Sequence, residues 1–248
     1  MSLQKLRTAL DGVLSLVYPD FCKICGAFVA QSRNASICED CWDGIRRIEN
    51  PICHGCGLPL PAGYQQMASP PRCGECLFEA YPFDIGRAAA YYEGPLREAI
   101  HLFKFGRRRN LAHRLSDLLF HVYQEHRIHM PADAIVAVPL HASRLRERGF
   151  NQSELMAKEL ARRIRLPYDP TVLTRWRATP PQSGQNKKAR ARNIHRAFQT
   201  RYPKRIENNA FLLVDDVFTT GATLTECARS LRAAGARAVY ALTLARVV

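Results

Sequence analysis

The chain has 248 residues, 47% of them hydrophobic, with a formal net charge of +14. That suffices for one ordinary α/β domain plus a smaller module and excludes global disorder, while no apolar run approaches the ~20 residues that span a bilayer. The charge is uneven: residues 1–80 hold 7 Lys/Arg and 8 Asp/Glu, and residues 81–248 hold 29 and 14.

At the N-terminus, Leu3, Leu6, Leu10, Val13, Leu14 and Val17 recur at helical spacing, which predicts an amphipathic helix packed on the body of the protein. Asp11 interrupts the apolar run and no small-residue cleavage site follows, so a signal peptide is not expected. A cytoplasmic location without a membrane span is the expectation.

Eight of the nine cysteines fall in four CxxC pairs: Cys22/Cys25, Cys38/Cys41, Cys53/Cys56 and Cys73/Cys76. A CxxC turn aims two thiolates at one metal, and two such turns complete a tetrahedral site. Twelve residues separate the first two pairs and sixteen the last two, close to zinc-ribbon spacing. Gly26 and Gly57 follow the first pair of each set, where a tight knuckle favours positive φ. The repeated asymmetry predicts two successive ribbons with one structural Zn²⁺ each, although crossed pairing and an iron site of rubredoxin type use the same ligands. His54 reads as a spacer. Cys227, on a helix face with Leu224, Ala228 and Leu231, reads as a core thiol.

From about residue 81 strands and helices alternate. The pattern predicts a strand at 84–92, helices at 95–105 and from Leu111 to Val122, and a buried strand at 134–138. Asn151 reads as a helix cap with Glu154 as capping-box partner. Residues 174–205, rich in Arg, Lys, Gln, Pro and Asn, show no periodicity and read as a long functional loop. A strand at 211–214, a helix at 223–234 and a strand at 238–246 complete the chain. Such alternation implies α/β architecture, a mainly parallel sheet with helices on both faces. The domains are then 1–80, with the double zinc ribbon, and 81–248.

In open α/β sheets, ligands bind at the carboxyl ends of strands. There the chain places Asp215 and Asp216, then a turn with Thr219, Thr220, Gly221, Ala222 and Thr223 leading into a helix. N–H groups at a helix start attract phosphate, and paired carboxylates accept hydrogen bonds from a diol. Together they match a ribose 5-phosphate. Neither GxxxxGK[ST] nor GxGxxG is present.

The run FLLVDDVFTTGAT closely resembles the binding motif for phosphoribosyl pyrophosphate (PRPP) in type I phosphoribosyltransferases. With the cysteine knuckles, KFG at 104–106, RxxxRGFNQ at 144–152 and the arginine-rich stretch at 175–198, essentially the whole chain resembles the ComF family. That family comprises bacterial competence and DNA-utilisation proteins with a zinc ribbon fused to a phosphoribosyltransferase domain. The resemblance implies that Asp215 and Asp216 hold the ribose hydroxyls of Mg²⁺-bound PRPP, and that residues 219–223 cradle its 5-phosphate. It places Pro139, Leu140 and His141 in the pyrophosphate loop, and Lys104, Arg144, Arg148, Asn151 and Gln152 in its signature segments. Arg175, Arg177, Thr179, Gln182, Arg192 and Asn193 belong to its mobile loop. The basic second domain and the family point to single-stranded DNA, with Phe103, Phe105, Trp176 and Phe198 as candidate stacking residues or core. A phosphoribosyltransferase with a small base or nucleotide acceptor, and a PRPP-responsive regulator that contacts a competence-machinery protein, are the other readings.

Overall fold

The structure, a computed structural model, describes residues 21–29, 36–64, 70–179 and 187–248. The expected N-terminal helix and Gln182 lie outside these residues. Two five-residue helices, α1 (Glu39–Asp43) and α2 (Gly74–Phe78), each start directly after a ligand cysteine. Then follow β1 (Ile85–Tyr91), α3 (Gly94–Phe105), α4 (Leu111–His126), β2 (Ala134–Ala137), α5 (Ala142–Arg148) and α6 (Gln152–Ile164). The chain ends with β3 (Leu173–Arg175), α7 (Lys187–Ile194), β4 (Phe198–Thr200), β5 (Ala210–Phe218), α8 (Ala222–Ala233) and β6 (Ala238–Arg246).

Four strands form one parallel sheet in the order β1-β6-β5-β2. Period-two alternation sorts their side chains between two cores. Leu212 and Val214 of β5 join α3, α4 and α6 on one face, while Phe211 and Leu213 join α8 on the other. Because both faces are covered, the strands read as nearly unbroken apolar runs. Both sheet edges gain short additions. Residues 46–48 pair antiparallel with β1, through Ile48 N to Ala89 O (3.1 Å) and Tyr91 N to Arg46 O (3.1 Å). Residues 167–169 pair parallel with β2, through Ile135 N to Pro167 O (2.8 Å) and Asp169 N to Ile135 O (2.9 Å).

Three expectations change. The stretch 174–205 is more than a loop: β3 and β4 form an antiparallel ribbon, and α7 lies between them. The strand expected to stop at Val214 continues to Phe218, so both aspartates belong to β5. Asn151 caps α6 by accepting from Ser153 N (3.1 Å), but Glu154 pairs with Lys158 (2.6 Å). Phe103 and Phe198 are core residues, whereas Phe105 and Trp176 are 69% and 52% exposed. Among the described residues no helix is long and apolar enough to cross a membrane.

Candidate functional site

The cysteines form two separate clusters in chain order, Cys22, Cys25, Cys38 and Cys41, then Cys53, Cys56, Cys73 and Cys76. This sequential grouping rules out the crossed arrangement. Within each cluster the sulfurs lie within 4.8 Å of one another; Cys22–Cys41 is 3.8 Å, and Cys25–Cys38 and Cys56–Cys73 are 3.6 Å. A tetrahedral zinc with Zn–S near 2.3 Å needs S···S edges of about 3.8 Å. Four thiolates per cluster leave no open position, so the donor set fits two structural zinc ions. Backbone N–H groups support the sulfurs, Cys38 N to Cys22 Sγ at 3.4 Å and Cys73 N to Cys53 Sγ at 3.2 Å. Gly26 and Gly57 both take positive φ, +76° and +69°. His54 joins neither cluster, and Cys227 is fully buried in the core.

At the carboxyl end of β5, Asp215 and Asp216 are 8% and 5% exposed. Continued alternation puts Asp216 on the α3/α6 face and Asp215 on the α8 face. Asp216 accepts from Lys104 Nζ (2.8 Å) and Gln152 Nε2 (2.7 Å), and Gln152 Oε1 accepts from Arg148 Nη1 (2.5 Å). Asp215 accepts from Ser153 Oγ (2.9 Å). Burial first, and the Asp216 charge second, push the Asp215 carboxyl up to about 7. Arg148 and Arg175 complete the electrostatic surroundings. Both are held below the usual guanidinium range, chiefly by burial, while the Asp215 charge favours their protonated forms.

The turn after β5 is held open by local geometry. Gly221 has φ +75°, and a Cβ there would fall 2.5 Å from the Phe218 ring, so glycine is required twice over. Among the described residues no backbone carbonyl accepts from the N–H groups of Thr219 to Thr223. Thr220 Oγ1 is buried without a hydrogen-bond partner. Successive unspent N–H groups at a helix start, joined by an orphaned hydroxyl, make an anion cradle.

The other anticipated residues divide. Pro139, Leu140 and His141 follow β2 after Val138, with His141 capping α5 by accepting from Ser143 N (3.2 Å). The Arg144 charge acts on both Arg148 and Arg175, beside the acidic pair. Arg175 donates to Thr179 Oγ1. Arg177 is spent bracing α7, through Asn193 O (3.0 Å) and His195 O (2.5 Å). Arg192 lines a cleft of ≈850 Å³ with Phe78, Tyr81 and Arg229; Thr220 and Ala222 also line it, and neither acid does. The sequence reading missed Ser153, whose only signal was its place one residue after the FNQ segment.

Residues 13–77 match the double zinc ribbon domain, and residues 151–247 the phosphoribosyl transferase domain. The DNA utilization protein YhgH of Escherichia coli (strain K12) is 35% identical over 237 residues, covering 94% of this chain and all of that protein. The chain belongs to the ComF family. Within the ComF family, Competence protein F of Haemophilus influenzae is 31% identical, covering 85% of this chain and 90% of its own. Competence protein ComFC of Bacillus subtilis is 26% identical, covering 85% and 84%.

Proposed function

We propose that this ComF-type protein binds PRPP with Mg²⁺ at the β5–α8 turn and acts in the cytoplasm in the uptake or utilisation of single-stranded DNA. The cradle of unspent N–H groups beside a buried carboxylate pair carries the reading. In it, the N–H groups of residues 219–223 hold the 5-phosphate, and Asp215 and Asp216 accept the ribose hydroxyls. Mg²⁺, when bound, neutralises the pyrophosphate; Arg144 and Arg148, with the 139–141 segment, supply the protein's positive and backbone contacts to it. Residues 1–80 serve as the zinc-held module and 81–248 as the nucleotide-handling domain.

Titration calorimetry tests the site. Asp215→Ala/Asp216→Ala should weaken Mg²⁺–PRPP binding at least about a hundredfold, the loss of two charge-assisted hydrogen-bonding groups; wild-type affinity in that variant sinks the assignment. Ionised carboxylate is the better acceptor for hydroxyl protons. Affinity should therefore rise as pH increases through about 7, where Asp215 titrates.

The DNA part rests on the names of the relatives and on a basic, aromatic rim. Exposed Phe105 lies under the Arg148 guanidinium (5.3 Å), with exposed Arg107, Arg108, Arg109 and Arg146 nearby in sequence. A stacking face among cations suits single-stranded DNA. Its affinity should fall steeply with salt, and Arg107→Ala should reduce the log–log salt slope by about 0.7; a salt-independent affinity contradicts the reading. Pyrophosphate release from PRPP, with and without single-stranded DNA or free bases, separates turnover from binding. Release only with a free base would favour an ordinary phosphoribosyltransferase, and binding without release a PRPP-responsive regulator that acts on a competence-machinery partner.

A further inference from the structure

Arg87 in β1 and Arg246 in β6 are 6% and 5% exposed, in strands that are otherwise largely apolar. Among the described residues neither has a carboxylate within ion-pair distance. A buried guanidinium without a counter-charge is strongly disfavoured. Both face the second cysteine cluster. Arg87 Nη1 donates to His54 O (3.0 Å) and Gly86 O (2.7 Å). Arg246 Nη1 donates to Cys56 O (2.7 Å), and its Nη2 lies 3.5 Å from Cys56 Sγ. The Nε atoms of both are buried without a partner. Four thiolates around one divalent ion leave a charge of −2, which two guanidiniums balance.

Arg246 also faces the other way. Its guanidinium lies 4.0 Å from the centroid of the Phe218 ring. Phe218 packs edge-on against Tyr81 (5.9 Å) and Phe83 (6.1 Å), which connect the second ribbon to the sheet. The same ring, with Tyr81, fills the space where a Gly221 side chain would stand, 2.5 Å and 3.0 Å from the ideal Cβ. Cys56, Arg246, Phe218 and Gly221 are therefore in continuous contact, from metal ligand to anion cradle.

We propose that Arg87 and Arg246 are the counter-cations of the second four-cysteine site, and that Arg246, through Phe218, ties its zinc occupancy to the shape of the 219–223 cradle. The second half rests on the PRPP reading above. Arg87 acts only on the cysteine site, and Arg246 is a positioning residue that reaches the cradle through Phe218.

The experiment is zinc release from the full-length protein to a chelating dye, followed with and without Mg²⁺–PRPP. Cys25→Ser, which removes one ligand of the first cluster, identifies which release phase belongs to which site. Coupled sites change one another's affinity by at least about fivefold, and with that change carried in the off-rate PRPP should slow release from the second site at least about fivefold and leave the first unchanged. Arg246→Met should speed release from the second site by about tenfold or more, the usual scale for outer-shell partners of a metal site, and Arg246→Lys should restore part of it. Phe218→Leu should retain zinc at the second site yet lose the protection that PRPP gives. Wild-type release in Arg246→Met overturns the counter-cation role. Equal protection by PRPP in wild type and Phe218→Leu, or none in a wild type that binds PRPP, overturns the coupling. A wild type that fails to bind PRPP in calorimetry fails the ligand reading instead, and the release rate of Arg246→Met still tests the counter-cation role. The PRPP arm on wild type requires no folded variant.

Discussion

The two ribbons share one sequence pattern and occupy very different surroundings. In the first, Cys25 is exposed, and a Cβ added at Gly26 would meet nothing within 4 Å. Ile37, Ile45 and three of its cysteines pack on the core, but its polar ties to the rest are exposed: Arg114 grips Glu39 (3.0 and 2.5 Å), and Arg46 lies over Tyr91 (4.1 Å). In the second, all four cysteines are buried, and a Cβ at Gly57 would fall 2.6 Å from Gly86 O. Gly86 N in turn donates to Gly55 O (2.7 Å). The first cluster joins the α3/α4/α6 core, and the second joins the α8 core beside the turn. A repeated ligand pattern thus specifies metal binding, while the burial around each copy decides what depends on that metal.

The largest test of this difference substitutes one ligand in each ribbon. Structural zinc sites contribute apparent binding energies of about 10–16 kcal/mol in isolated fingers, against a typical domain stability of about 5–15 kcal/mol. Cys56→Ser should therefore lose one zinc and most of the cooperative thermal transition. Cys25→Ser should lose one zinc and keep the sheet folded. Metal analysis with circular dichroism melts reads both, and equal melts would break the comparison.

Glycine substitutions sharpen it at smaller scale. Gly26→Ala meets only the positive-φ penalty, about 1 kcal/mol. Gly57→Ala adds a collision with the Gly86 backbone, which must shift to admit the methyl group, for a total of about 3 kcal/mol or more. Denaturant midpoints at constant slope measure both, and equal costs would mean that the second ribbon is looser than its contacts indicate. The smallest effect belongs to Arg114→Ala. It removes an exposed ion pair with Glu39 and a cation–π contact with Trp42 (5.2 Å), together worth about 1 kcal/mol. A larger loss would show that the first ribbon depends on its surface ties.

Much of the architecture was legible because it follows from local pattern. CxxC spacing identified both four-cysteine clusters, and β6 matched its expected bounds. The end of β5 was misread because two adjacent carboxylates look like the close of a strand. Its ladder continues past them, Asp215 opposite Thr243 and Val217 opposite Ala245. The side chains that satisfy the acids, Ser153, Gln152 and Lys104, lie 62 to 112 residues away in sequence. Helix α7 was hidden by its composition, since a short, strongly basic helix that buries Ile194 shows no apolar period. Arg87 and Arg246 left a signal that went unused: a single arginine in a largely apolar strand asks what anion faces it.

The three residues that the first ribbon lends to the flank of β1 have a further consequence. A bare outer strand offers unpaired amides and carbonyls to any neighbouring molecule, and is where cross-β association begins. Residues 46–48 cover that flank, and residues 167–169 cover the opposite one. Each flank is thereby shielded over part of its length. Loss of the peripheral zinc, survivable for the fold itself, would then register as a tendency to aggregate.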